Sequence, residues 1–367
     1  MKHKFLKLIL IFVLFFSITS CSKHKSISTI TETQNQNPSS KFIKQDTYNF
    51  IVPKSDNPNG IKVIYDLNNG FKFYSTATLE NLVLKPEANP TKIASTFLGW
   101  YSDIECKIPF NFKKEIKKET TVYAGYETDY KEISNLISDN ILKTSVKVIS
   151  TFTESTLGGQ TYESIGSGVI IAQTSNYYYC LTNNHVIYKP EKYKYEEYKI
   201  YDCFNNAYTG IIAYADSNYD LALMYFNKIP DDGKTTDTLD TITFTSNMPN
   251  EKDTVITVGN PKRVMNTITY GSYVSLDEFN SDEESKIKSD IKFSVINHTA
   301  KINDGSSGSM LLDSNLRLIG INFASKVSAS NEYLYSYAIP YYKVIEFIQN
   351  YEKQSTTNLK GSLFAAL

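Results

Sequence analysis

The feature that most constrains the fold is a long series of short apolar runs, separated by turn residues, that begins near residue 166. Runs of this length that are rich in Val, Ile, Tyr and Phe are typical of β-strands. The composition agrees, since the chain holds 28 Tyr and 20 Phe against 16 Gly. The runs include GVIIA, YYYCLT, KIYDCF, TGIIAYA, LALMYF, DTVITVG, TITYGSYVS, IKFSVI, SMLL, RLIGINFA and YSYAI. Their spacing predicts an all-β barrel or sandwich.

Two segments flanking this series have helical spacing instead. The first is 131–142, and the second is the stretch YKVIEFIQNYEK near the end of the chain. The apolar residues that share a helical face are Ile133, Leu136, Ile137 and Ile141 in the first, and Val344, Ile345, Ile348 and Tyr351 in the second. Short helices are therefore expected on both sides of the β-rich region.

The N-terminus has the pattern of a secretory signal. Lysines precede an apolar run at 8–18, which is too short to span a membrane comfortably. The run is followed by Ile-Thr-Ser-Cys, which resembles a bacterial lipobox and predicts lipidation of Cys21. We expect a signal peptide at 1–20 and an extracytoplasmic, lipid-anchored protein. An ordinary signal peptide or an uncleaved anchor is the alternative.

Residues 21–58 begin with a polar stretch rich in Ser, Thr, Gln and Asn, which predicts a flexible tether. Beyond Cys21 the chain has Cys106, Cys180 and Cys203, so at most one bridge can form. For Cys180 and Cys203, buried free thiols and a disulfide are both open. No cysteine pair has zinc spacing, and we predict no metal and no cofactor. The net charge of −1 gives no reason to expect a nucleic-acid partner.

Residues 59–127 have a sequence pattern that differs from that of the polar stretch before them. IKVIYDLNNG alternates apolar and polar positions and ends in Asn-Gly, a signal for a strand and a turn. The segment resembles the small β-grasp-like repeat of Listeria and Bacteroides surface proteins. The matching residues are Pro90-Thr91-Lys92, Phe97, Gly99-Trp100-Tyr101, Asp103, Glu105-Cys106, Phe110, Phe112 and Thr121-Val122-Tyr123-Ala124. The resemblance implies a cell-surface spacer or adhesion module. Trp100 and Tyr101 form either its core, which we favour, or a binding surface.

Three residue types point to nucleophilic catalysis. Histidine is the usual general base near neutral pH, and His185 follows an apolar strand. Asp220 opens the run DLALMYF, and Ser307 lies in GSSGS. The chain order His, Asp, Ser is one of three known for the catalytic triad. His298 competes as the base, and Asp216 competes with Asp220.

The region 128–352 resembles the protease domain of the HtrA (Deg) serine endopeptidases. The matching blocks are Gly166-Ser167-Gly168-Val169-Ile170-Ile171, Thr182-Asn183-Asn184-His185-Val186, Asp220-Leu221-Ala222-Leu223, Val258-Gly259-Asn260-Pro261, Ile302-Asn303 with Gly305-Ser306-Ser307-Gly308, Leu318-Ile319-Gly320-Ile321-Asn322 and Ala338-Ile339-Pro340. The resemblance implies a chymotrypsin-like double β-barrel with Ser307 as nucleophile, His185 as base and Asp220 as its partner. It also implies an oxyanion hole formed by the N–H groups of Gly305 and Ser307.

The chain departs from that family at two places. Ser309-Met310 replaces the common Gly-Pro, and the tail at 353–367 is too short for the PDZ domains that follow the protease domain in HtrA proteins. Peptide-gated regulation and cage assembly are therefore not expected. Ser306 stands where trypsin-like zymogens keep an aspartate, so activation by N-terminal cleavage is not expected either.

Lys301 lies six residues before Ser307, a position near the base of the pocket for the substrate side chain in chymotrypsin-like folds. An inward lysine, with His298 beside it, would favour acidic substrate side chains. Lysine is rarely buried unless it is paired, which favours an outward orientation. An outward lysine would leave a pocket for small aliphatic residues. Ile321 and Asn322 are expected to complete the pocket.

Together these patterns predict a membrane-anchored, extracytoplasmic serine endopeptidase. Its expected partners are protein or peptide substrates, the membrane through lipidated Cys21, and a cell-surface partner of the repeat segment. The alternative is a catalytically silent surface-binding protein, in which the repeat segment binds and the protease fold is a scaffold.

Overall fold

The strands in the part of the chain that the structure describes form three β-sheets. The computed structural model describes residues 50–154, 159–234, 236–261, 264–279, 290–328, 330 and 332–354. In chain order the strands are β1 (Lys62–Asp66), β2 (Lys72–Thr76), β3 (Ser95–Tyr101), β4 (Thr120–Thr128), β5 (Ser145–Thr153), β6 (Thr161–Gln173), β7 (Tyr177–Thr182), β8 (Tyr195–Tyr201), β9 (Ala207–Asp216), β10 (Leu221–Asn227), β11 (Thr254–Gly259), β12 (Thr267–Glu278), β13 (Ser294–His298), β14 (Met310–Leu312), β15 (Leu318–Val327) and β16 (Tyr333–Pro340). The helices are α1 (Tyr130–Asp139), α2 (Asn184–Ile187) and α3 (Tyr341–Gln354), and a 3₁₀ turn covers Ile141–Thr144.

The first sheet is a four-stranded module with the order β2-β1-β4-β3, which we call the N-terminal module. Its central strand β1 pairs antiparallel with β2 and parallel with β4. Val63 and Tyr65 alternate on β1 and are buried together with Val122 of β4. Trp100 is 5% exposed and contacts this cluster, so it is a core residue, as expected. Tyr101 is half-buried.

The Asn-Gly signal marks the turn between β1 and β2. The Leu67 N–H donates to the Phe71 carbonyl at 3.0 Å and closes the hairpin. Asn68 and Gly70 have positive φ angles of 48° and 88°, which asparagine and glycine adopt more readily than other residues. The strand and turn predicted for this stretch are therefore present.

The other two sheets are closed six-stranded barrels. The first has the order β10-β7-β6-β5-β8-β9 and the second the order β11-β12-β13-β16-β15-β14. Successive residues of a strand face opposite sides. On β14, Leu311 packs within a cluster confined to the second barrel, whereas Met310 and Leu312 join a cluster shared by both barrels, α1 and α3. The prediction of an all-β chain with a double barrel and a small β module is confirmed.

Both predicted helical segments contain helices. α1 begins after its N-cap Asp129, whose carboxylate accepts hydrogen bonds from the backbone of the first turn, and it buries two isoleucines. α3 buries Val344 and Ile348, as expected. It buries Phe347 as well, whereas Ile345 is only half-buried.

The N-terminal module contacts the second barrel through its β1–β2 turn. The Asn69 carbonyl accepts hydrogen bonds from Asn315 Nδ2 at 2.8 Å and from Arg317 Nη2 at 3.2 Å. The Arg317 guanidinium also lies 5.1 Å from the centre of the Phe71 ring. Arg317 is 2% exposed and pairs with Asp313 at 2.7 Å. A buried charge pair on the turn between β14 and β15 therefore anchors the module.

All three cysteines in the described part of the chain are free. Cys180 is buried, and Cys106 and Cys203 are half-buried, so a bridge between Cys180 and Cys203 is not formed. Within the described residues, no helix is long and apolar enough to cross a membrane. Cys21, the signal peptide at 1–20 and most of the tether and tail lie outside those residues.

Candidate active site

His185 is held at the start of α2, directly after strand β7. Its backbone N–H donates to Asp220 Oδ1 at 3.0 Å, and its ring Nδ1 lies 2.8 Å from Asp220 Oδ2. One carboxylate thus fixes both the backbone and the ring of the histidine. Because Asp220 Oδ2 accepts, Nδ1 carries the proton and Nε2 keeps its lone pair.

Asp220 itself is constrained by the strands around it. It is buried and has a positive φ of 49°, which is uncommon for a residue other than glycine. Its carbonyl accepts hydrogen bonds from Asn184 N at 3.1 Å and Asn183 Nδ2 at 2.9 Å. The competing Asp216 bonds to the backbone and side chain of Asn218 within its own turn. The structure therefore brings Asp220, and not Asp216, to His185.

Ser307 lies in the loop between β13 and β14, which Ser167 of the first barrel holds in place. Ser167 N donates to the Ser307 carbonyl at 2.7 Å, and Ser167 Oγ donates to the Gly305 carbonyl at 2.8 Å. Gly305 and Gly308 have φ angles of 89° and 86°, so the loop requires glycine on both sides of the serine pair. Ser306 is buried, and its Oγ accepts from Asn303 N at 3.1 Å. The side chain of Ser306 thus has a structural partner within the loop.

Gly166 lies between the histidine segment and the serine loop. A Cβ at this position would be 2.7 Å from the methyl groups of Val186, the residue after His185, and 3.0 Å from the Ser307 carbonyl. The two segments therefore meet at Gly166. Among the described residues, no hydrogen bond joins the Ser307 hydroxyl to the His185 ring. Such bonds are often long before substrate binds and shorten in the complex.

The N–H groups of the serine loop fall into two sets. Those of Ser306, Gly308 and Ser309 donate to carbonyls within the structure. Those of Gly305 and Ser307 have no hydrogen-bond partner among the described residues. Two N–H groups in this arrangement can stabilise an oxyanion, which is the role predicted for them.

The structure pairs two of the four residues predicted to form the substrate pocket, but it does not gather all four at one pocket. His298 Nε2 and Asn322 Oδ1 form a buried pair at 2.9 Å, and Ile321 is a buried core residue opposite Met310. Lys301 is exposed, and its ammonium lies 5.7 Å from the centre of the Tyr333 ring.

The hypothesis of an inward lysine at the pocket base is therefore corrected. Burial of a lysine without a paired carboxylate is costly, and the exposure of Lys301 agrees with the outward orientation.

His298 is unsuited to the role of the general base. Burial lowers its pKa to about 4, so it binds protons poorly near neutral pH. Its Nε2 already bonds to Asn322. His185, which is partly exposed and paired with Asp220, has the geometry that a base requires.

Comparison with known families agrees with this arrangement. Residues 166–321 match the trypsin-like peptidase domain, and residues 62–125 match the Listeria-Bacteroides repeat domain. This chain carries a trypsin-like peptidase domain. The family resemblances stated from the sequence are thereby confirmed for both parts of the chain.

A relative of known name is the serine protease Do-like HtrA of Bacillus subtilis (strain 168). It is 31% identical over 182 residues, which is 48% of this chain and 36% of that protein. The chain thus spans about a third of the length of the relative that it matches. Over that shared length, the chain is related to an HtrA-type serine protease.

Sequence reasoning missed the role of Ser167 in the peptidase domain. Ser167 is fully buried, and its Oγ also accepts from Asn260 N at 2.8 Å. It therefore ties the serine loop to both barrels. Its position between Gly166 and Gly168 was visible in the sequence, but its partners are far away along the chain. Within the described residues, no group of three or more His, Cys, Asp or Glu could hold a metal ion.

Proposed function

We propose that this chain is a serine endopeptidase that cleaves protein substrates through an acyl-enzyme on Ser307. The main support is that the Asp220 carboxylate accepts two hydrogen bonds from His185, from its backbone N–H at 3.0 Å and from its ring Nδ1 at 2.8 Å. The contact of the serine loop with the histidine segment at Gly166 adds to it. Trypsin-like domains are hydrolases, and the named relative is a serine protease.

In the first half of the reaction, Ser307 Oγ attacks the carbonyl carbon of the scissile bond. His185 Nε2 takes the hydroxyl proton, and Asp220 stabilises the imidazolium that forms. The N–H groups of Gly305 and Ser307 bind the oxygen of the tetrahedral intermediate, which carries the negative charge. His185 then gives its proton to the leaving amine, and the acyl-enzyme remains.

In the second half, a water molecule takes the place of the amine. His185 removes a proton from the water, which attacks the acyl carbonyl in the same oxyanion hole. The tetrahedral intermediate collapses, the proton returns to Ser307 Oγ and the new carboxylic acid leaves. The enzyme regains its starting state with no metal or cofactor required by any step.

A fluorophosphonate probe tests this proposal because it labels only an activated serine. We expect the wild-type chain to be labelled and Ser307→Ala to lose labelling completely. Ser306→Ala is the matched control, since it removes the neighbouring hydroxyl and should keep most of the labelling rate.

Two outcomes would contradict the proposal. Labelling of Ser307→Ala but not of Ser306→Ala would mean that the wrong serine is assigned. No labelling of correctly folded wild-type protein would favour the catalytically silent binding protein.

We also propose that the enzyme acts outside the cytoplasm, anchored by lipid on Cys21. The support is the N-terminal pattern of lysines, a short apolar run and a lipobox-like exit. One acyl chain binds a membrane only marginally, so a stable anchor requires a second chain on the same cysteine.

Metabolic labelling with palmitate tests the anchor. Wild-type protein should incorporate the label, and Cys21→Ser should not. Cys106→Ser is the matched control and should be labelled like wild type, because Cys106 lies in the folded N-terminal module. Persistent labelling of Cys21→Ser would disprove the lipid anchor.

A further inference from the structure

We propose that His298 and Asn322 are positioning residues for the nucleophile loop. His298 fixes the side-chain amide of Asn322, and Asn322 holds the two residues that follow Ser307. This inference rests on the proposed function, because it assigns roles around the same serine. His298 lies on β13 and Asn322 on β15, and neither takes part in the proton transfers described above.

Asn322 is fully buried on β15 and uses its backbone to hold the loop. Its carbonyl accepts from Gly308 N at 2.8 Å, and its N–H donates to the Ser309 carbonyl at 2.9 Å. Ser309 N donates in turn to the Ser306 carbonyl at 2.8 Å. Ser307 therefore lies in a turn closed by Ser306 and Ser309, and the backbone of Asn322 holds the two residues of that turn that follow Ser307.

The side chain of Asn322 adds a second set of contacts. Its Nδ2 donates to Ser309 Oγ at 2.9 Å and to the Met310 carbonyl at 3.2 Å. A carbonyl can only accept a hydrogen bond, so the side of the amide that faces Met310 must be the NH₂ group. The oxygen of the amide therefore faces His298, at 2.9 Å from its Nε2.

This orientation determines the protonation state of His298. Because Asn322 Oδ1 accepts, Nε2 carries the hydrogen, and in the neutral ring Nδ1 does not. Burial lowers the pKa of His298 to about 4, which keeps the ring neutral at physiological pH. His298 thus donates one fixed hydrogen bond, and it does so from strand β13, directly before the loop.

A role in packing alone does not explain a histidine at this position. Its Nδ1 is buried and has no hydrogen-bond partner in the described part of the chain. Burying an unsatisfied acceptor opposes folding, and an apolar side chain of similar size would avoid that cost. What an apolar side chain could not supply is the donor that prevents the Asn322 amide from rotating.

The link from Asn322 to Ser309 depends on the Ser309 hydroxyl. The HtrA-like pattern mostly has glycine here, and glycine offers no hydroxyl to Asn322 Nδ2. Gly259 makes room for the serine, since a Cβ on Gly259 would be 2.4 Å from Ser309 Cβ. His298, Asn322 and Ser309 therefore form one chain of buried hydrogen bonds that ends beside Ser307.

The test compares His298→Leu with His298→Gln in the full chain. Glutamine carries an N–H at a reach similar to that of Nε2, whereas leucine carries none. We expect His298→Leu to lower kcat on a peptide substrate about 10- to 100-fold with KM little changed, because small misplacements of reacting groups have effects of this size. His298→Gln should retain kcat within about threefold of wild type.

A second readout does not depend on activity. Hydrogen exchange of the Gly308 amide, which donates to Asn322, should be faster in His298→Leu than in wild type, and unchanged in His298→Gln. If His298→Leu does not fold, Ser309→Ala removes the last bond of the same chain. It should lower kcat by a smaller factor and speed exchange at the same amide.

Equal kcat in all folded variants, or equal losses in His298→Leu and His298→Gln, would overturn the inference. Unchanged exchange of the Gly308 amide in His298→Leu would overturn it as well. An inactive wild-type enzyme would disprove the proposed function instead, and the exchange measurement would still decide whether His298 positions the loop.

Discussion

Asp220→Asn should lower kcat on a protein or peptide substrate by about four decades while the protein stays folded. The backbone N–H of His185 donates to Asp220 Oδ1, so the amide oxygen of asparagine should stay there. The amide NH₂ would then face Nδ1 of the ring and force it to accept. The proton would move to Nε2, where it prevents the histidine from acting as a base.

His185→Ala and Ser307→Ala should lower kcat by about three to six decades, because each removes a member of the same catalytic unit.

Asp216→Asn is the matched control. Asp216 lies four residues earlier, and its carboxylate accepts hydrogen bonds from the backbone and side chain of Asn218 and from the Tyr214 hydroxyl at 3.5 Å. An asparagine oxygen can still accept from the Asn218 backbone, so kcat should stay near that of wild type. Steady-state kinetics on both variants, with circular dichroism to verify folding, make the measurement. Comparable losses in the two variants, or an active Asp220→Asn, would contradict the assignment of the triad.

Arg317→Met should destabilise the second barrel by about 3–5 kcal/mol, which is a typical cost of removing one partner of a buried ion pair. Arg317 is 2% exposed, pairs with Asp313 and donates to the Asn69 carbonyl. Methionine fills similar space but leaves the Asp313 carboxylate without its counter-ion. The free energy of unfolding, measured by urea denaturation, should fall accordingly.

Lys252→Met serves as the control at the same contact. Lys252 pairs with Glu105 of the N-terminal module at 2.9 Å, but both side chains are exposed to solvent. Exposed pairs contribute little to stability, so the midpoint of denaturation should hardly change. Equal stabilities of Arg317→Met and wild type would show that the buried pair does not anchor the module. A large effect of Lys252→Met would show that the anchor lies elsewhere.

The anchoring pair changes how the N-terminal module is understood. Its family resemblance implies a cell-surface spacer or adhesion module and says nothing about catalysis. Its β1–β2 turn contacts the turn between β14 and β15, and β14 begins three residues after Ser307. The module therefore lies against the strand connection that follows the nucleophile loop and β14.

The residues of the proposed triad could be identified from the sequence alone. His185, Asp220 and Ser307 each stand beside an apolar strand or within a glycine-bounded loop, and these signals are local. The strand pattern and the Asn-Gly turn are local as well, because side-chain alternation and positive φ angles depend on neighbouring residues. The double barrel and the small β module followed from such patterns and from the family resemblance that they carry.

Other features depend on contacts between distant parts of the chain, and only the tertiary structure decided them. The sequence placed Lys301 six residues before Ser307, but only the structure shows that its side chain is exposed, with the ammonium 5.7 Å from the centre of the Tyr333 ring. Ser167, His298 and Asn322 are ordinary polar residues within strands, and their roles come from hydrogen bonds that cross the barrels. An arginine is expected at the surface, yet Arg317 is buried, where it pairs with Asp313 and donates to the Asn69 carbonyl. Local pattern determines which residues can form strands, turns and a triad. The partners that a buried polar group finds are determined by the packing of the whole domain, because its hydrogen bonds must be satisfied wherever the fold places it.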